Sequence, residues 1–127
     1  MMNPRDIKYS KDHVWVKVDG TTATLGITDY AQNQLGEVLA VELPLLDSEI
    51  EKGGELGSLD CMKTASTVYA PVSGKVTKIN DSLVDAPDTV NSDPYGEGWL
   101  AQIELSDPAE LDDLMGAEEY EAFLESL

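Results

Sequence analysis

Between residues 45 and 79 the chain never runs far without a breaker. Gly53-Gly54, Gly57, Pro71 and Ser73-Gly74 interrupt one short apolar stretch after another. A long helix cannot pass through such punctuation, because an interior glycine costs about 1 kcal/mol and an interior proline about 3 kcal/mol. Short strands joined by turns can. The same pattern governs residues 13–27, where Val14, Val16 and Val18 alternate before Asp19-Gly20 and β-formers follow. Alternation on both sides of an Asp-Gly pair predicts a hairpin. Residues 37–43 read as a further strand stopped by Pro44, and Trp99, Ala101, Ile103 and Leu105 line one face of a last one. The fold class this implies is mainly β, a small antiparallel sandwich or barrel.

Helices are expected only at the margins. Residues 28–36 fit a short one, with Thr28 capping its start and Gly36 taking the left-handed conformation at its end. Residues 81–98, with Pro87, Pro94, Gly96 and Gly98, read as loop. Asp107-Pro108-Ala109-Glu110 supplies an N-cap, a proline at the first helical position and an acid near the start, and Gly116 is expected to close that helix. Tyr120, Phe123, Leu124 and Leu127 then share one stripe of a final helix. No linker separates these pieces, so residues 1–127 are expected to form one domain, with C-terminal helices at about 107–127.

Charge narrows the partners. Eight Lys/Arg against 25 Asp/Glu leave −17 on 127 residues, and from Asp81 to Leu127 there are 14 acids and no base. Such a surface disfavours nucleic acid, whose phosphates need clustered Lys/Arg, and anionic lipid. It fits a solvated face or one that steers basic partner proteins. No apolar run approaches the roughly 18–20 residues of a membrane span. Met1-Met2-Asn3-Pro4-Arg5-Asp6 lacks the basic-then-apolar order of a leader, so a bacterial cytoplasmic protein is expected, a mature organellar one being the alternative. One cysteine and one histidine are poor material for a disulfide or a metal site.

Catalytic machinery is equally sparse. The chain has no Ser/His/Asp or Cys/His motif and no phosphate-cradling glycine loop, and nothing in the spacing of its carboxylates selects an acid–base pair. It is not expected to be an enzyme. One position invites attention: Lys63, the only base between Lys52 and Lys75, set among small and polar residues between two apolar strand candidates. A lysine at such a turn tip projects into solvent, and by spacing alone it is an ordinary surface lysine.

Lys63 with Ala65-Ser66 and Tyr69-Ala70-Pro71-Val72-Ser73-Gly74 closely resembles the modification site of glycine cleavage system H proteins. The likeness extends along nearly the whole chain. It includes Gly26-Ile27-Thr28-Asp29-Tyr30-Ala31-Gln32, Leu35-Gly36-Glu37-Val38, Val41-Glu42-Leu43-Pro44, Val90-Asn91, Asp93-Pro94-Tyr95-Gly96-Glu97-Gly98-Trp99-Leu100 and Ser106-Asp107-Pro108. The resemblance implies a barrel-sandwich hybrid of two small antiparallel sheets, as in lipoyl and biotinyl domains, with the lysine on a hairpin at about 56–79. It implies a monomeric carrier with lipoic acid amide-linked to Lys63, and Asp60, Ala65 and Ser66 as the attachment-site context. The partners implied are a pyridoxal-phosphate glycine decarboxylase, a tetrahydrofolate-dependent aminomethyltransferase, dihydrolipoyl dehydrogenase and a lipoate-attaching enzyme. A groove for the loaded arm would involve His13, Val14 and Gln34.

Two departures keep alternatives open. Where the family has His-Glu-Trp, this chain has His13-Val14-Trp15, without the carboxylate that could hold a cationic aminomethyl group. Where the family has Glu-Ser-Val-Lys, it has Asp60-Cys61-Met62-Lys63. Met62-Lys63 also resembles the biotinyl site. Cys61 is expected as a small semi-buried residue in place of serine; a thiol exchanging with a lipoyl dithiol would require exposure and a lowered pKa. The competing function is a related lipoate-binding protein serving sulfur oxidation with a heterodisulfide-reductase-like complex, or a lipoate relay. A non-lipoylated interaction protein of the same fold is the third.

Overall fold

The computed structural model describes Pro4 and residues 6–127; Met1, Met2, Asn3 and Arg5, part of the stretch read for a leader, lie outside the described residues. In chain order the strands are β1 (Lys8–Tyr9), β2 (Val14–Asp19), β3 (Thr22–Ile27), β4 (Val38–Glu42), β5 (Glu49–Ile50), β6 (Glu55–Cys61), β7 (Ala65–Tyr69), β8 (Gly74–Ile79) and β9 (Ala101–Leu105). The helices are α1 (Asp29–Leu35), α2 (Ser82–Asp85), α3 (Thr89–Ser92) and α4 (Ala117–Glu125), with a 3₁₀ turn over Pro108–Asp113. All strand pairs are antiparallel. They sort into a six-stranded sheet, β1-β2-β3-β9-β8-β5, and a three-stranded sheet, β4-β6-β7, neither closed into a barrel. The mainly β, two-sheet fold expected from the resemblance is thus present.

Alternation along β2 explains how one strand serves two cores, since neighbouring side chains point to opposite faces. Val14 and Val16 enter a cluster that also takes Leu25, Val76 and Ile103 from the large sheet and Leu56, Leu59 and Val68 from the small one. Trp15 points the other way, into a second cluster with Ile7, Tyr9, Ala117 and Tyr120. Its indole leaves no room for a side chain at its pairing partner Gly26: a β-carbon there would stand 2.6 Å from the ring. Trp15 Nε1 donates to the Pro94 carbonyl at 2.9 Å, which ties down the Pro94-Tyr95 loop.

Local signals account for α1. Thr28 Oγ1 accepts from the Ala31 amide at 3.2 Å, and Gly36 closes the helix at φ +78°. Elsewhere tertiary packing overrides them. Residues 81–98 are not all loop: α2 and α3 are single turns held by the buried side chains of Leu83 and Val90. The segment after Asp107 is 3₁₀ rather than a helix ended by Gly116. It stops at Leu114, and Gly116 instead starts α4. Glu110 is occupied elsewhere, accepting from the Ser73 amide at 2.7 Å and hydroxyl at 3.0 Å. On α4, Tyr120 is buried, but Leu127 lies past the helix end and is exposed rather than part of its stripe.

Candidate functional site

Asp60 and Ala65 pair across β6 and β7, and the Cys61 amide donates to the Thr64 carbonyl at 2.9 Å. That closes a tight hairpin with Met62 and Lys63 at its tip. Both are exposed, and so is Thr64. Asp60 and Ala65 are exposed at the hairpin's base, while Ser66 is half-buried. The tip is braced from beyond the β6–β7 hairpin, because the Met62 amide donates to the Glu37 carbonyl at 2.9 Å, just before β4. The lysine stem lies over Gly36: a β-carbon on that glycine would come 3.9 Å from Lys63 Cδ and 3.8 Å from Cε. An ammonium group on an exposed, sterically open turn can be brought into another protein's active site without unfolding anything.

Cys61 stands two residues from this lysine but faces inward, 8% exposed and part of the main core. Burial, with Asp60's charge acting the same way, pushes the thiol above its ordinary pKa. A protonated, buried sulfur is a poor nucleophile, so the exchange role is not supported and the small-residue role is.

The structure separates the three groove residues. Val14 is 1% exposed and packed in the core, where it lines no groove. Gln34 is exposed on the last turn of α1. His13 is half-buried at the opposite end of that helix, its ring 4.7 Å from the Tyr30 ring between centroids. Seven helical residues span about 10 Å, so α1 runs like a short rail from His13 to the Gly36 platform beneath Lys63.

His13 belongs to a network invisible from its neighbours in sequence. Its Nδ1 lies 2.8 Å from Tyr120 Oη, which lies 2.7 Å from Thr28 Oγ1. The Tyr120 ring stacks on Tyr9 at a 4.6 Å centroid separation and 4° between planes. Burial holds the His13 ring below the usual imidazole pKa, with Asp12 opposing. His13 itself takes a left-handed backbone, φ +65°, which histidine tolerates better than most residues. Sequence reasoning gave Tyr120 only a place on an apolar stripe. It gave Asn91 no role, yet Asn91 bonds to Gln32, Gly36 and Val38, which lie 53 to 59 positions away. No local pattern could have revealed either set of partners.

Among the described residues no group of three or more His, Cys, Asp or Glu is placed to hold a metal ion, and no helix is long and apolar enough to cross a membrane.

The glycine cleavage H-protein family model matches residues 7–127. A glycine cleavage system H protein of Staphylococcus haemolyticus is 50% identical over 124 residues, covering 98% of each chain. One from Carboxydothermus hydrogenoformans is 48% identical over 122 residues, 96% of this chain and 94% of its own. The crystal structure of a glycine cleavage system H protein from Mycobacterium marinum aligns with a TM-score of 0.88 at 33% identity, covering 98% of this chain and 100% of that one.

Proposed function

The chain belongs to the glycine cleavage H-protein family, and from that premise we propose that Lys63 is the residue to which lipoic acid is amide-linked. The protein is a non-catalytic lipoyl carrier of the glycine cleavage system, working with that system's enzymes. The observation that carries the assignment of Lys63 is its position: a fully presented primary amine at the tip of a braced hairpin. The residues present suit an acyl group on that amine, because Lys63 is exposed and its stem lies over Gly36, which has no side chain to obstruct it.

This chain's own contribution is presentation. The β6–β7 hairpin offers Lys63 to an attaching enzyme, with Asp60, Ala65 and Ser66 as the surface that enzyme reads. Acylation removes the lysine's charge and leaves a long tether rooted in a rigid base. Attached there, lipoic acid supplies the disulfide for redox and group-transfer chemistry. Tethering raises its local concentration at each docked active site, which free lipoate could not match. The specific partners in this reading are a pyridoxal-phosphate glycine decarboxylase, a tetrahydrofolate-dependent aminomethyltransferase, dihydrolipoyl dehydrogenase and a lipoate-attaching enzyme. The acidic surface favours brief, steered encounters with them. The whole chain acts as one carrier domain in a bacterial cytoplasm.

Sulfur oxidation is not favoured, because the similar proteins are glycine cleavage H proteins, and Cys61 offers no exposed thiol in its support. His13 and Gln34 flank α1 at its two ends as the groove residues of this reading, while Val14 lies in the core. Co-expression with a lipoate-attaching enzyme followed by intact-mass measurement tests the assignment. Wild type should gain one lipoyl group and Lys63→Ala none. An adduct that persists on the variant would place the arm elsewhere. Glycine–bicarbonate exchange with glycine decarboxylase should then require the lipoylated form.

A further inference from the structure

Three hydrogen bonds leave the Asn91 side chain, and two of them end on the crossover from α1 to β4. Its Nδ2 donates to the Gly36 carbonyl at 2.8 Å and to Gln32 Oε1 at 3.0 Å, and its Oδ1 accepts from the Val38 amide at 2.9 Å. The partners fix which way the amide points, since an N–H must donate and a carbonyl must accept. The α3 turn that carries it is pinned to the core by Val90, which is fully buried.

The crossover needs such a clamp. Gly36 sits at φ +78°, and the β4–β6 ladder, which pairs Val38 with Cys61, shifts register immediately after that pair, so only its end reaches this backbone. The lysine hairpin rests on the same segment. Glu37 receives the Met62 amide, and the Lys63 stem crosses Gly36. We propose that Asn91 is a positioning residue for Lys63: it holds residues 36–38 as a fixed bed that orders the lysine stem and so sets how the amine is presented. The functional meaning rests on the reading of Lys63 as the attachment point; the ordering of the stem does not.

Asn91→Asp nearly preserves volume and the acceptor for Val38, but it turns an oxygen toward the Gly36 carbonyl. Asn91→Ser removes the clamp more gently should the aspartate variant fail to fold. Asn80→Asp is the matched control. Asn80 Nδ2 donates to two backbone carbonyls, of Glu97 and Trp99, at 2.7 and 2.8 Å, so the change costs similar bonds away from Lys63. Carbon-13 relaxation at Lys63 Cε in the unlipoylated chain reads stem order directly. It should be high in wild type and Asn80→Asp and fall in both Asn91 variants. With a lipoate–protein ligase, kcat/KM for modification should drop about threefold to tenfold in the Asn91 variants, the scale of one lost hydrogen bond, and hold in the control.

Equal Cε mobility in all four proteins would overturn the inference, as would an Asn80 variant that matches the Asn91 variants in both readouts. Lost order with unchanged ligase kinetics would overturn its functional half. If wild type accepts no lipoyl group, the carrier reading falls while relaxation alone still decides the positioning.

Discussion

Tyr120→Phe removes one oxygen from the junction between α4 and the start of α1. The ring is fully buried and stacked on Tyr9, and phenylalanine keeps that contact. What goes is the hydroxyl, together with its bonds to Thr28 Oγ1 at 2.7 Å and His13 Nδ1 at 2.8 Å. Each bond is worth about 1 kcal/mol net, and a buried partner left short costs about 1–3 kcal/mol. Thr28 is fully buried but still accepts from Ala31, and half-buried His13 can recruit water, which limits the loss. The expected destabilisation is about 2–3 kcal/mol, or about 6–15 °C in Tm for a domain of this size. Urea unfolding followed by the fluorescence of Trp15 and Trp99 measures it, and an unchanged m-value would show that the unfolded state is not responsible. Pairing the change with His13→Asn should be less than additive, because both act on one bond. A loss below about 0.5 kcal/mol, or full additivity, would refute the claim that this hydroxyl fastens the C-terminal helix.

Gly26→Ala should cost about 1–3 kcal/mol, since a methyl 2.6 Å from the Trp15 ring forces the indole aside; a crystal structure with Trp15 unmoved and the Pro94 bond intact would contradict this. His13 gives a pH signature of definite sign. Its folded pKa is depressed by burial, so the unfolded chain binds the proton more readily. The stability of the neutral ring is present above the unfolded pKa of about 6.5 and is lost as pH falls below it. The wild-type minus His13→Asn difference in unfolding free energy should therefore shrink on acidification, and a difference that grows would reverse the assignment. Cys61 should react with a thiol reagent at neutral pH far more slowly in the native chain than in urea; equal rates would mean the sulfur is accessible.

Where local chemistry decides structure, the sequence was readable. The Asp19-Gly20 turn, the Thr28 cap, Gly36 and the alternation around residue 103 each settle an element from a few neighbouring residues. Single-turn helices are a different matter. α2 and α3 form because Leu83 and Val90 are drawn into a core assembled from distant strands, and no period can emerge in four residues. Gly116 was misread for a related reason: glycine is compatible with both ends of a helix, and the neighbouring elements chose the start. Lys63 was legible as an exposed turn residue, and the residues around it gave the resemblance. Its bed was not, because Gly36, Glu37 and Asn91 meet it only through the fold.

The strand order of the large sheet has a consequence for synthesis. β9 lies between β3 and β8, yet it is the last strand to leave the ribosome. Until residues 101–105 emerge, β3 and β8 each present an unpaired edge, and the sheet exists only as separate β1-β2-β3 and β5-β8 pieces. The β6–β7 hairpin, built from residues adjacent in sequence, faces no such delay. A chain stalled before Ala101 would thus expose Lys63 on a formed hairpin while carrying two open edges, the condition that invites one chain to pair with another. Quality control of nascent chains, rather than catalysis, is where that topology is felt first.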